Sequence, residues 1–247
     1  MVLVLSLACR EAPKDPPAAP ETLTAQDIVD RAIARSGGSN YWDHHGSFLF
    51  RERRYSFGNK QGRRILKRMF RSGTDSITDV KKGNDFQRYV NGVLVQLPDT
   101  TASNYANSVN AVHYFVRLPQ GLNDPAVNKE LLGLETLEGK QYHKIRISFD
   151  QEGGGDDFED TYLYWFDTKT FALDYLAYDF HVDGGGQRFR KAYNPRFVGG
   201  IRFVDYENYK PKNPGSSLMD IGKLFDKGEL QLLSKVALTD IMVSREN

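Results

Sequence analysis

The side chains best suited to chemistry are five histidines (His44, His45, His113, His143 and His181), one cysteine (Cys9) and an acid-rich run from Asp150 to Asp160. A catalytic zinc site built on a helix needs two histidines four residues apart with a glutamate between them, and no pair here has that spacing. Asp43-His44-His45 comes nearest to a ligand group, and its other reading is a polar corner where a helix passes into a strand. The run Asp150 to Asp160 holds six acids and three glycines in eleven residues. Hard cations such as calcium take carboxylates on a flexible loop, but this spacing fits no known calcium loop, and a solvated hairpin tip is the alternative. No Gly-x-Ser-x-Gly, phosphate loop, dinucleotide fingerprint or His-Glu-x-x-His occurs. No catalytic residue, metal ligand or cofactor is therefore expected, and the chain is read as a binding protein rather than an enzyme.

Arginines offer a different chemistry, because the guanidinium fork matches carboxylates and phosphates. Arg188 and Arg190 are two apart and share one face of a strand, and Arg202 is expected to join them across the turn at Gly199-Gly200 as a polar mouth. Ion pairing with Asp205, Glu207 or Asp179 is the competing expectation. Nine basic residues lie between Arg51 and Arg71, with Glu52 the only acid. They form either the solvated face of a sheet or a surface held against anionic headgroups.

The apolar residues that such a mouth would serve alternate along strands. Ile145, Ile147 and Phe149 point one way on one strand, and Leu176, Tyr178 and Phe180 one way on another. A curved sheet would turn them toward a common interior together with Trp165, Phe189 and Phe203. This set is the expected wall of a hydrophobic ligand's cavity.

The elements that position these residues are mostly strands. Thr24 with Asp27 three residues on marks the start of a helix whose stripe is Ile28, Val29, Ala32 and Ile33, ended by Gly37-Gly38. Strand-like runs alternate with turns from Ser47 to Val95, and Asn91-Gly92 between Tyr89-Val90 and Val93-Leu94-Val95 predicts a two-residue hairpin. A second helix is predicted near Ala102 to Val116. Strands resume at Lys144 to Phe149, whose alternation predicts a one-sided sheet, and an aromatic meander runs on to Tyr209. A helical piece at Met219 to Phe225 precedes one closing strand, Leu232 to Val243. About ten strands and three helices result, a mostly β (α+β) antiparallel class.

The formal net charge of +1 gives no field for nucleic acid. After the N-terminal segment no run of about 18 apolar residues occurs, so the body is not expected to span a bilayer as a helix. Seven of the first eight residues are apolar and lead into Cys9. Leu5-Ser6-Leu7-Ala8-Cys9 resembles the lipobox of bacterial lipoproteins, with Leu7 where a small residue is commoner, and the resemblance implies a lipid on the Cys9 thiol. Pro13, Pro16, Pro17 and Pro20 then make an extended spacer. The expected organisation is a signal segment at 1–9, a tether at 10–22 and one β domain at 23–247.

The stretches Tyr164-Trp165-Phe166-Asp167, Leu173 to Tyr178, Gly184 to Arg190, Ala192-Tyr193-Asn194-Pro195-Arg196 and Gly200 to Tyr206 resemble a family of uncharacterised bacterial lipoproteins. The order of elements from Thr24 to Val243 is similar to that of the outer-membrane lipoprotein carriers and receptors. That likeness implies a half-open antiparallel β-barrel with helices at its mouth and an apolar cavity for acyl chains. The resulting expectation is a membrane-anchored lipoprotein of the outer membrane or periplasmic face that binds a lipid or other hydrophobic molecule. Two further readings stay open: an interaction module with a filled core that grips an envelope protein partner, and a hydrolase of envelope polymers.

Overall fold

The computed structural model describes residues 23–152, 160–181 and 184–245. Cys9, the leader, the tether and residues 153–159 of the acidic run lie outside them. The first helix, α1 (Ala25–Arg35), begins on the expected capping box: the Asp27 amide donates to Thr24 Oγ1 at 3.2 Å, and the Thr24 amide donates to the Asp27 carboxylate at 2.9 Å. A short helix α2 (Asn40–Asp43) follows.

Six strands then form a meander: β1 (His44–Phe50), β2 (Arg53–Lys60), β3 (Arg63–Ser72), β4 (Asp75–Lys82), β5 (Asp85–Val90) and β6 (Val93–Val95). Asn91 and Gly92 both take positive φ, at 51° and 81°, and pair Val90 with Val93, as a tight hairpin requires. Helix α3 (Asp99–Arg117) and a single 3-10 turn (Gln120–Asn123) carry the chain to β7 (Val127–Leu137). From there β8 (Lys140–Phe149), β9 (Tyr162–Asp167), β10 (Leu173–Phe180), β11 (Gly186–Val198) and β12 (Ile201–Pro211) run antiparallel. A 3-10 turn (Leu218–Asp220) leads into α4 (Ile221–Asp226), then β13 (Leu230–Val236) and β14 (Thr239–Arg245).

Two seven-stranded sheets result, ordered β14-β1-β2-β3-β4-β5-β6 and β13-β12-β11-β10-β9-β8-β7. They adjoin where residues 237 and 238 link β13 to β14, whereas the far edges, β6 and β7, are joined through α3. The fold is thus a mostly β, half-open barrel that does not close. The expected single closing strand is two strands in different sheets. Their corner is pinned by Asp205, whose carboxylate accepts from the Leu238 amide at 2.9 Å and from Arg196 at 2.9 Å, and Arg196 also donates to the Leu238 carbonyl. β7 was not expected; Leu131 and Gly133 flank a register shift that breaks its alternation.

The inner face of the second sheet carries Ile145, Ile147, Tyr164, Phe166 and Leu176, all fully buried against Ile28, Val29 and Ala32 of α1 and Leu122 after α3. The first sheet packs Phe48, Tyr55, Phe57 and Leu66 around Val109 of α3 and Tyr41 of α2. The second sheet is not one-sided as expected. Its outer face holds Trp165, Tyr175 and Phe189 under Leu218, Ile221 and Phe225, so α4 and its flanks cover it. Gly222 permits this approach, since a Cβ there would meet Glu135 Oε1 at 2.7 Å and the Trp165 ring at 3.2 Å. Arg68 also departs from the expected basic surface. It points inward, with two bonds to Asp79 at 2.6 and 2.9 Å, while Arg88 holds the other side of the same buried carboxylate at 2.7 Å.

Candidate functional site

A cleft of about 270 Å³ opens where α3 crosses between the two sheets. The helix supplies Val112, Phe115 and Val116 on adjacent turns, and the second sheet supplies Tyr178, Val204 and Val236, so most of the wall is aliphatic or aromatic. Its charged groups are Arg190 on β11 and the exposed Arg51 beyond β1. The Arg190 guanidinium lies over the Phe115 ring, 3.8 Å from its centroid, and donates to the Tyr178 hydroxyl at 3.0 Å. Its Nε is buried with no hydrogen-bond partner. Among the described residues no carboxylate pairs with it, so its positive charge is held by aromatic faces and one phenol.

Of the expected ligand residues, Tyr178 and Arg190 line this cleft; the others lie elsewhere. Ile145, Ile147 and Leu176 are consumed by packing against α1, and Phe149 packs at the margin of the same cluster. Trp165 and Phe189 are on the opposite face of the sheet, under α4. Phe203 belongs to the cluster of the first sheet. Phe180 packs against Tyr178 with the rings tilted, centroids 6.2 Å apart, and carries Arg188 over its ring at 4.7 Å. Arg202 does not join the other two arginines. Its guanidinium is anchored near the start of β10 by the Leu173 carbonyl at 3.3 Å and the Asp174 carboxylate at 3.4 Å. The acids expected as partners are engaged otherwise, Asp205 with Arg196 and Glu207 with Lys235. Val112 and Val116 fall in the helix expected near Ala102 to Val116, but nothing in the sequence marked Val204 and Val236 as their opposite wall.

A larger groove, about 520 Å³, runs over the outward face of the first sheet between His45, Ser56, Lys67 and Met242. Gly46 and Gly58 are among its lining residues, and it lies outside the half-barrel. The α3 cleft is the better candidate, since it combines an inward apolar wall with a buried unpaired donor. Among the described residues no three His, Cys, Asp or Glu side chains converge as metal ligands, and no helix is long and apolar enough to cross a membrane.

Residues 71–237 match the model of a family of unknown function, DUF6503. No curated protein matches the chain. Among solved structures, a LolA superfamily protein from Nitrosomonas europaea is 13% identical, with a TM-score of 0.48 over 90% of this chain and 92% of that one. A DUF1329 family protein from Desulfovibrio piger is 12% identical, with a TM-score of 0.42 over 90% and 92%. A putative outer membrane lipoprotein-sorting protein domain from Vibrio parahaemolyticus is 9% identical, with a TM-score of 0.42 over 82% and 98%.

Proposed function

The chain belongs to this family of unknown function, and within it we propose a cell-envelope protein that holds a lipid or other apolar chain in the cleft between α3 and the second sheet. The observation that carries the reading is Arg190, a cation in an apolar wall with a buried donor left over and no carboxylate partner among the described residues. An amphiphile with an anionic head would place its chain against Val112, Val116, Val204 and Val236 and its oxygens at Arg190. A volume near 270 Å³ falls just below the range of ligand sites, roughly 300–1,000 Å³. That limits the occupant to a short chain or the end of a longer one. The proposal includes a lipid on Cys9, supported by the apolar leader before it and the proline spacer after it.

Uptake of a fluorescent fatty-acid probe tests the reading. Val112→Trp should fill the cleft and lower uptake with little change in the unfolding midpoint. Arg190→Gln should weaken a carboxylate probe more than its neutral alcohol analogue. A filled-core interaction module predicts the opposite: Val112→Trp would overpack the wall at a cost of about 1–3 kcal/mol, and the parent would take up no probe. That second result would refute the binding function.

A further inference from the structure

Helix α3 has another cleft on its other side. Asn110 and Arg117, seven residues apart and so on one face, line a space of about 220 Å³ together with Arg64 of β3, Lys81 of β4, Trp42 of α2, and Gln120 and Asp124 around the 3-10 turn. None of these residues borders the apolar cleft.

The polar atoms here are poorly matched to one another. Arg64 donates from Nη2 to the Tyr41 carbonyl and lies over the Trp42 ring at 4.8 Å, but its Nε and Nη1 are buried with no partner. Arg117 makes one hydrogen bond, a long one of 3.3 Å from Nε to the His113 carbonyl in its own helix. Gln120 Oε1 is a buried acceptor without a donor. Asp124 shares the cleft without forming a salt bridge to either arginine. Burial raises its carboxyl above the usual range, against the pull of Arg117 and then Arg64. Burial, and after it the nearby Arg117 charge, draws Arg64 down to about 10, and burial lowers Arg117 as well; a guanidinium in a protein keeps its proton at neutral pH. Two like charges brought together with donors unused are costly unless an anion completes them.

We propose that this cleft binds a phosphate monoester group, a site separate from the apolar cleft. Two guanidiniums with donors to spare face one carboxylate, and a monoester, carrying about −1.5 to −2 near pH 7 and three strong acceptor oxygens, would serve both more fully than a carboxylate or a phosphodiester. Its oxygens would accept from the unused donors of Arg64 and Arg117. When the group carries a proton, Gln120 Oε1 or the Asp124 carboxylate is in place to accept it.

The test is calorimetric titration of the full chain with inorganic phosphate and with glycerol 3-phosphate. Alongside it, the chain is co-sedimented with phosphatidylcholine vesicles with and without phosphatidic acid, whose headgroup is a phosphate monoester. Binding of the small phosphates supports a free ester as the source, and binding to phosphatidic acid vesicles alone supports a lipid headgroup. In either case Arg64→Gln and Arg117→Gln should each weaken binding at least tenfold, Arg64→Lys should not restore it, and Arg190→Gln should leave it as in the parent. Should the glutamine variants fail to fold, phenylglyoxal modification of Arg64 and Arg117 in the parent, read by mass spectrometry, takes their place, and phosphate should slow it. No binding in either format, binding unchanged in both glutamine variants, or no protection by phosphate would overturn the proposal.

Discussion

His113 makes the stability of this protein depend on pH in a way the structure fixes in sign and size. The ring is fully buried on α3, edge-on to Phe48 and Tyr55, and its Nε2 lies 3.1 Å from the Lys67 carbonyl. Nδ1 has no partner, so a second proton would sit in apolar surroundings without an acceptor. Burial in the first place, and then the charges of Arg117 and Arg64, push the imidazole down to about 3 in spite of that carbonyl. Unfolded, it titrates near 6.5. Below that value the unfolded chain therefore binds a proton that the folded chain refuses, so this contribution is intact above pH 6.5 and is lost as pH falls toward the folded value. Between pH 7 and 5 the loss integrates to about 2 kcal/mol. For a chain of this size the loss corresponds to a midpoint drop of roughly 4–8 °C. Urea unfolding of the parent and of His113→Gln at pH 7, 6 and 5 reads it. The variant keeps a donor for the Lys67 carbonyl, and its stability deficit should shrink by about 2 kcal/mol across the window. Parallel pH slopes for the two proteins, or a His113 ring that titrates near 6.5 in the folded state by NMR, would refute the reasoning.

Other variants probe the frame around the two clefts. Asp79→Asn leaves Arg68 and Arg88 as charges without their shared counterion, and chemical denaturation should show a loss of about 3–5 kcal/mol. Gly199 has φ +56°, and a Cβ there would meet Val243 Cγ1 at 2.5 Å. Gly199→Ala should thus lower the unfolding free energy by at least about 1 kcal/mol, and adding Val243→Ala should recover the steric part in a double-mutant cycle. Cys9→Ser should release the protein from the host's membrane fraction and remove any acyl mass from its N-terminal peptide; a variant that stays bound as firmly as the parent would count against the anchor.

Short-range chemistry controls the features that can be read along the chain. Thr24 and Asp27 start α1 because their two bonds close within one turn. Asn91-Gly92 makes a hairpin because both positions tolerate positive φ. Alternation in Lys144 to Phe149 separates two faces whatever covers them. The run Ala192 to Arg196, conspicuous in the sequence, belongs to the corner where Arg196 and Asp205 hold the link between the sheets.

Which faces are covered and where space remains depend on contacts between elements distant in the chain. Alternation along single strands groups Trp165 and Phe189 with Ile145 and Ile147 in one interior, whereas the register between strands puts the two pairs on opposite faces and α4, more than fifty residues after Trp165, covers the first pair. Arg68 reads as one more surface cation until β4 brings Asp79 opposite it. The run from Leu232 to Val243 reads as one strand because both halves have strand-like composition, and the change of sheet at residues 237–238 is imposed by Asp205 from β12. A cleft is the gap left by the side chains that border it. The apolar one is bounded by residues from Phe50 to Leu238, and the charged one by residues from Trp42 to Asp124. Local spacing reports the conformation of neighbours in the chain, whereas these volumes depend on how closely distant elements approach, and that is set only when the sheets and α3 pack together.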